Sequence, residues 1–183
     1  MMRNPPMDVS IAAMILIAAL AVPAAAQAQV PCGTAVAPGC FKGTFQGQDA
    51  HDVLPPGATT VVISTTATGT GTHLGRFSLI REITGNLVNF SATGSAEWIA
   101  ANRDSIYTTI VGQAELSDIP GGFLKVTEIH TINGGTGRFT GAQGSFTVEL
   151  FHKLEASGVA GGVETHDIFG SFHGTITSPR ATH

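Results

Sequence analysis

Hydrophobic and polar residues alternate along most of the chain beyond residue 40, which is the pattern of half-buried β-strands. Phe146, Val148 and Leu150 share one face of such a run, opposite Thr147 and Glu149. Two further runs alternate in the same way, one with Val88, Phe90, Ala92, Ala96 and Trp98 on one face, the other with Ile168, Phe172 and Ile176. Helical periodicity is almost absent beyond residue 30, so the pattern predicts an all-β protein.

Eight strands are predicted from β-branched and aromatic runs that end at Gly, Pro or Asn. They span 41–49, 59–68, 73–83, 87–100, 104–117, 122–132, 138–151 and 164–177. Short reversals favour an antiparallel meander, and closure of the sheet removes its exposed edges. We therefore predict a closed eight-stranded antiparallel up-and-down barrel, with a two-sheet β-sandwich as the alternative. The interior of such a barrel is either filled by side chains or holds one small ligand, and both remain open at this point.

A Phe-x-Gly unit recurs along the chain and bears on how the interior is filled. It begins at Phe41, Phe45, Phe139 and Phe172. In a strand, residues i and i+2 lie on the same face, so each ring stands beside a missing side chain. We expect this arrangement to relieve crowding in a small, strongly coiled sheet.

The first 28 residues have the features of an export signal. An apolar run of 12 residues, 11–22, follows Arg3 and ends at Pro23. As a helix it would cover about 18 Å, well short of the ~30 Å hydrocarbon core, so no permanent membrane span is expected. Small residues predict cleavage after Ala28, with Ala26 as the alternative. The mature protein is then expected to be periplasmic or extracellular.

The remaining 155 residues (183 less 28) are enough for one domain. We assign 1–28 to the signal peptide, 29–40 to an N-terminal loop, 41–178 to the barrel and 179–183 to a C-terminal tail. Cys32 and Cys40 are the only cysteines. In an oxidising compartment they are predicted to form a disulfide that fixes the N-terminal loop, worth roughly 2–3 kcal/mol for so short a loop.

The charge of the chain excludes one class of partner. The net charge is −4, with only 9 lysines and arginines. A protein that follows a phosphate backbone needs a basic patch, so no nucleic-acid partner is expected. Charged residues make up 12% of the chain, about half the usual share.

The glycine-rich segment 134–144 (GGTGRFTGAQG) resembles the allene oxide cyclase-like barrels, which have relatives among plant dirigent proteins. Glu128, Thr131 and Ile132 precede it, and the segment 71–77 looks like an early strand of small exported bacterial members. The resemblance spans roughly residues 40–178. It implies a barrel with a lumen site where an apolar small molecule could be confined.

The resemblance does not carry the cyclase activity over. The cyclase holds a glutamate on its first strand, whereas Gln48 and Asp49 stand at the corresponding place here. The sequence also has no GxSxG elbow and no phosphate-binding P-loop.

Glu128 and His130 are the strongest candidates for chemistry. By strand parity they share a face with Leu124, Val126 and Ile132, so both lie among apolar residues. An unpaired carboxylate in such surroundings has a perturbed pKa and is typical of a functional site. The alternatives are an outward turn of this face near the strand end, or pairing of Glu128 with a lysine, an arginine or backbone amides.

Three other residues are candidate ligand contacts. His73 and Arg76 flank Leu74 and Gly75 near the start of a strand, where they could hold an anion at the barrel rim. Tyr107 offers a hydroxyl group to a lumen ligand, although a single tyrosine often packs with its hydroxyl in water. Further histidines, at positions 51, 152, 166, 173 and 183, show no HxH or HExxH spacing, so neither a metal site nor a cofactor is predicted.

These features predict an exported, non-enzymatic barrel that binds a small apolar ligand or serves a structural or partner-binding role. The alternative is an isomerase or cyclase that confines a reactive apolar substrate in the lumen, with Glu128 polarising it. The sequence is also compatible with a homo-oligomer.

Overall fold

The structure, a computed structural model, describes residues 39–177. The predicted signal segment, Cys32 and the C-terminal tail lie outside these residues. Export and the Cys32–Cys40 disulfide therefore stay predictions, although Cys40 itself is buried at the start of the first strand. The described residues contain no helix that is long and apolar enough to cross a membrane.

The described chain is built almost entirely from strands. In chain order they are β1 (Cys40–Asp52), β2 (Thr60–Gly71), β3 (Gly75–Asn86), β4 (Ser91–Ala100), β5 (Ser105–Leu116), β6 (Phe123–Gly135), β7 (Gln143–Lys153), β8 (Gly158–Ala160) and β9 (Val163–Thr177). A one-turn 3-10 helix, Gly137–Phe139, stands between β6 and β7. The all-β prediction is confirmed.

The sheet closes on itself. Each long strand pairs antiparallel with the next, and β1 pairs with β9 from Cys40 opposite Thr175 to Asp52 opposite Val163. The short strand β8 lies outside this ring and pairs only with β9. The closed eight-stranded antiparallel barrel is therefore confirmed, and the β-sandwich alternative is excluded. The separator predicted at 157–162 contains β8 as an additional strand.

The fourth strand begins later than predicted. The side-chain oxygen of Asn86 accepts hydrogen bonds from the amides of Val88 and Asn89, and Phe90 takes a positive φ of 59°. This local turn keeps 87–90 out of the sheet, because a side chain that bonds nearby amides competes with strand pairing. Val88 and Phe90 are consequently exposed, whereas Ala92, Ala96 and Trp98 point inward as predicted.

The glycine-rich segment also departs from the prediction at both ends. Strand β6 continues to Gly135, with a bulge that places Thr108 opposite Ile132 and Tyr107 opposite Gly134. Strand β7 starts only at Gln143, because the 3-10 turn directs the Phe139 ring into the barrel, where it is 2% exposed. The turn thus adds the Phe139 ring to the hydrophobic core at this end of the barrel.

Aromatic rings fill the half of the interior on the side of the β1 N-terminus. We call this the aromatic half; its rings are Phe41, Phe45, Phe77, Trp98, Phe146 and Phe172. Neighbouring ring centroids lie 4.8–6.1 Å apart, which is contact distance and leaves no ligand-sized space between them. Glycine makes room for the rings: a Cβ added to Gly43 would lie 2.7 Å from the Phe172 ring.

Candidate functional site

The other half of the interior contains a buried polar cluster. We call it the charged half; its residues are Asp49, Thr65, Arg81, Thr108, Glu128, His130 and His152. All are at most 9% exposed. Backbone register brings the first three together, since Thr65 on β2 lies opposite both Asp49 on β1 and Arg81 on β3. Strand parity then points all three side chains inward.

Arg81 is the centre of the charged half. Its Nη1 donates to Glu128 Oε1 at 2.6 Å, its Nη2 donates to Asp49 Oδ1 at 3.0 Å, and its Nε donates to the Thr65 hydroxyl at 2.9 Å. Thr65 in turn donates to Asp49. One guanidinium on β3 therefore bonds to residues of three other strands, β1, β2 and β6, and faces two carboxylates. Such geometry uses the planar fork of arginine, which lysine does not have.

Glu128 and His130 come together as the sequence predicted, but both are already engaged. The second carboxylate oxygen of Glu128 accepts from His130 Nε2 at 3.0 Å, and His130 Nδ1 lies 3.0 Å from the Thr108 hydroxyl. This network fits a neutral imidazole that donates through Nε2 and accepts at Nδ1. Glu128 has no exposed surface, so it is not accessible to a substrate. Of the alternatives that the sequence left open, the structure shows the pairing of Glu128 with an arginine.

The ionisation of these groups follows from burial and pairing. Burial alone would raise the pKa of Glu128, but the charge of Arg81 and the hydrogen bond from His130 hold that pKa below its usual value. Burial would likewise raise the pKa of Asp49, and Arg81 together with the His152 and Thr65 hydrogen bonds lowers it instead. The pKa of His130 is lowered, chiefly by burial. The cluster therefore contains two ionised carboxylates and one positively charged guanidinium.

Asp49 and His152 connect the charged half to the rim. His152 Nδ1 donates to Asp49 Oδ2 at 2.9 Å, and the His152 ring stacks on His166 at 4.7 Å between centroids. His166 is 5% exposed and also stacks with His51, at 5.1 Å between ring centroids. Three imidazoles therefore lie in a row from the charged half to the end of β1.

Sequence reasoning missed Arg81, His152 and His166 as site residues. It considered Asp49 only in comparison with the first-strand glutamate of the cyclase. The signal was present in each strand: Arg81 continues the inward parity of Phe77, Leu79 and Ile83. A charged residue on the apolar face of an alternating strand indicates a buried charge that needs a partner. The same parity test applied to β1, β7 and β9 selects the other three residues.

The remaining candidates lie elsewhere. Tyr107 is 42% exposed on the outside of the barrel, so its hydroxyl cannot reach a lumen ligand, because inward and outward residues alternate along β5. His73 occupies the β2–β3 turn with a positive φ of 62°. Arg76 is exposed and lines a groove on the outer wall, and the structure does not place His73 among the residues of that groove.

This outer groove has a volume of about 860 Å³. Residues of inward parity form its floor: Phe45, Gly69, Phe77 and Gly170. Outward residues form its walls: Thr44, Gln46, Thr68, Thr70, Ser78, Ile99 and Phe169, together with Arg76 and Arg103. A second, smaller groove shares Thr44 and Thr70 with it and continues across β9.

Comparisons with family models, curated proteins and solved structures found no match for this chain. The resemblance to allene oxide cyclase-like and dirigent barrels therefore stays a prediction that rests on the residues quoted for it.

Proposed function

We propose that this protein is a non-catalytic binding protein whose outer groove takes a small molecule with an apolar, aromatic body and one anionic group. The observation that carries the proposal is a groove with an exposed aromatic ring, Phe169, on its wall and two arginines at its side. Its volume lies within the range of about 300–1,000 Å³ that is typical of ligand pockets. Apolar lining with a few polar groups is the usual composition of such pockets.

The wall of the groove supplies the apolar contact. Phe169 is 44% exposed there, whereas Phe45 and Phe77 at the floor are only 5% and 4% exposed because their rings pack inside the barrel. An aromatic ligand could stack on the Phe169 ring in offset or edge-to-face geometry. Hydroxyl groups of Thr44, Thr68 and their neighbours can orient polar atoms of the same ligand.

The arginines supply the anion preference. Neither Arg76 nor Arg103 forms an ion pair within the described residues. Arg103 lies in the turn between β4 and β5, where its amide donates to the Ala100 carbonyl oxygen at 2.8 Å. A guanidinium that no carboxylate engages can bind the anionic group of a ligand in bidentate geometry.

The interior offers less to a ligand than the groove does. The aromatic half is filled by rings, and both oxygens of Glu128 are bonded within the charged half. An isomerase or cyclase mechanism would need Glu128 to reach a substrate, and Glu128 has no exposed surface. The proposal therefore places the ligand outside the barrel wall.

The test uses two matched dyes, the aromatic anion 1-anilinonaphthalene-8-sulfonate and neutral N-phenyl-1-naphthylamine, which lacks the sulfonate. Trp98 is the only tryptophan, and its ring lies 5.3 Å from Phe77, so its fluorescence reports binding at the groove floor. We expect saturable binding of one anionic dye per chain. Arg76→Gln and Arg103→Gln should each weaken it about five- to tenfold, with little effect on the neutral dye.

Controls come from the same surface. Thr68→Phe should block the groove, whereas Thr66→Phe lies two residues away on the same outward face and should not. Lys125→Gln removes the same charge as Arg76→Gln at a position outside the groove. Equal binding of both dyes to all variants would overturn the proposal and leave the structural role as the remaining hypothesis.

A further inference from the structure

A second candidate site stands at the rim of the charged half, where strands β1 and β9 meet. His51 lies directly opposite Glu164, and His166 follows two residues later on the same face of β9. One donor atom from each of these three residues lies within 4.8 Å of the others, and His166 Nε2 is 3.8 Å from Glu164 Oε2. The register of the barrel closure produces this juxtaposition.

Both imidazoles are oriented as metal ligands are. His166 Nδ1 lies 2.9 Å from the Lys153 carbonyl oxygen, and His51 Nδ1 lies 2.8 Å from the Asp52 carbonyl oxygen. A carbonyl only accepts hydrogen bonds, so each Nδ1 carries the proton and each Nε2 presents a lone pair. A backbone carbonyl behind a ligating histidine fixes its tautomer in the same way in known metal sites.

His166 provides an independent observation that points to a ligand. Its Nε2 is buried and has no hydrogen-bond partner, and the residue as a whole is only 5% exposed. Buried polar atoms almost always have a partner, so an orphan of this kind calls for a water or an ion. The His166 ring cannot turn away freely, because its Nδ1 is bonded to the Lys153 carbonyl oxygen and the ring stacks with His51 and His152.

The three residues suit a particular class of ion. Two imidazole nitrogens and one carboxylate favour a divalent transition metal over Mg²⁺ or Ca²⁺, which prefer all-oxygen sites. With metal–ligand bonds of about 2.1 Å, donor atoms in a tetrahedral zinc site lie ~3.4 Å apart. Closing the present spacing to that value requires rotation of His51 and Glu164, both of which are partly exposed. The His51 ring must tilt out of its near-parallel arrangement with His166, because a bound metal lies in the plane of each ligating imidazole.

We propose that His51, Glu164 and His166 bind a divalent transition-metal ion of the zinc class at the rim of the barrel. Both histidines bind through Nε2 and Glu164 binds through its carboxylate. Three protein ligands leave a further coordination position open to water or to another ligand. The site lies away from the outer groove and does not depend on the function proposed there.

The test is a Zn²⁺ titration by calorimetry on the untagged full chain after removal of metals with a chelator, with Co²⁺ absorption as a second readout. We expect one high-affinity Zn²⁺ per chain and no comparable binding of Mg²⁺. His166→Ala and Glu164→Gln should each weaken Zn²⁺ binding by at least about a hundredfold, since even loss of a partner behind a ligand costs 10- to 100-fold.

The matched control is His173→Ala, which removes an exposed histidine from the outer face of the same strand and should leave the affinity unchanged. Glu164→Gln keeps the test valid if His166→Ala fails to fold, because Glu164 is partly exposed and its replacement is nearly isosteric. Unchanged Zn²⁺ affinity in a folded Glu164→Gln or His166→Ala variant would overturn the proposal. An equal loss in His173→Ala would do the same, since it would indicate binding by surface histidines.

Discussion

Trp98 contacts four phenylalanine rings in the aromatic half of the interior, whereas Arg81 contacts Asp49, Thr65 and Glu128 in the charged half. Both halves are buried, and both join strands that are distant in sequence. The hydrophobic contribution of ring packing is non-directional, and several neighbours share it. The guanidinium contacts depend on direction and charge, so the loss of one partner leaves the others unsatisfied.

This difference determines how each half should respond to change. Removing one partner of a buried ion pair costs about 3–5 kcal/mol, because an uncompensated charge remains behind. A hydrophobic core tolerates a substitution that nearly conserves volume, usually for less than about 1.5 kcal/mol. The two halves should therefore differ in sensitivity to single substitutions and to pH.

The largest effect is expected from Arg81→Met, which leaves Asp49 and Glu128 as buried, unpaired carboxylates. Stability should fall by about 3–5 kcal/mol, measured as the free energy of unfolding in urea by Trp98 fluorescence. Arg76→Met, on the same strand but exposed, should change stability by no more than about 0.5 kcal/mol.

A triple variant refines this test. Adding Asp49→Leu and Glu128→Met to Arg81→Met removes the unpaired charges together with their partner. The triple variant should be more stable than Arg81→Met alone, because an apolar replacement of a buried ion pair is often near neutral. If the losses of stability of the three single variants simply add up in the triple variant, the charged half is not the coupled network described here.

An intermediate effect is expected from acid. The pKa values of His130 and Glu128 are lowered in the fold from ordinary values of 6.5 and 4.5. A lowered pKa means that the unfolded chain binds more protons, so stability is complete at high pH and is lost as pH falls. The loss should begin near pH 6.5 through His130 and steepen below about 4.5 through Glu128.

Each unit of pKa depression corresponds to about 1.4 kcal/mol, and urea midpoints between pH 8 and pH 4 measure the loss over that range. The exposed His173→Gln variant should keep the same profile. The cost of Arg81→Met should shrink in acid, because protonated carboxyls no longer need the guanidinium. Stability that rises between pH 7 and pH 5 would contradict this account.

The smallest effect is expected from Phe172→Leu in the aromatic half. Leucine keeps an apolar side chain in contact with Trp98, so the cost should be about 1–1.5 kcal/mol in urea unfolding. That cost should stay constant between pH 8 and pH 4, unlike the cost of Arg81→Met. A loss as large as that of Arg81→Met would show that both halves are equally intolerant.

The sequence predicted the all-β class and the closed barrel because inward and outward residues alternate on every long strand. It also predicted that Glu128 and His130 share a face with apolar residues, since two residues of equal parity on one strand share a face, and it left open whether that face turns outward. Strand ends were predicted less well. The side-chain bonds of Asn86 and the 3-10 turn before β7 are local competitions that a hydrophobic pattern does not record.

Within the paired strands, alternation by itself thus determined which side of the barrel wall a residue occupies, although it failed for Val88 and Phe90 in the turn before β4. Only the tertiary structure decided which inward residues meet, because that depends on register and closure between strands far apart in the chain. Arg81 donates a hydrogen bond across the interior to Glu128, which is 47 residues away in the sequence. The barrel closure places His51 opposite Glu164. Distances across a closed sheet are set by all its strands together, so they cannot be inferred from the sequence of any single strand.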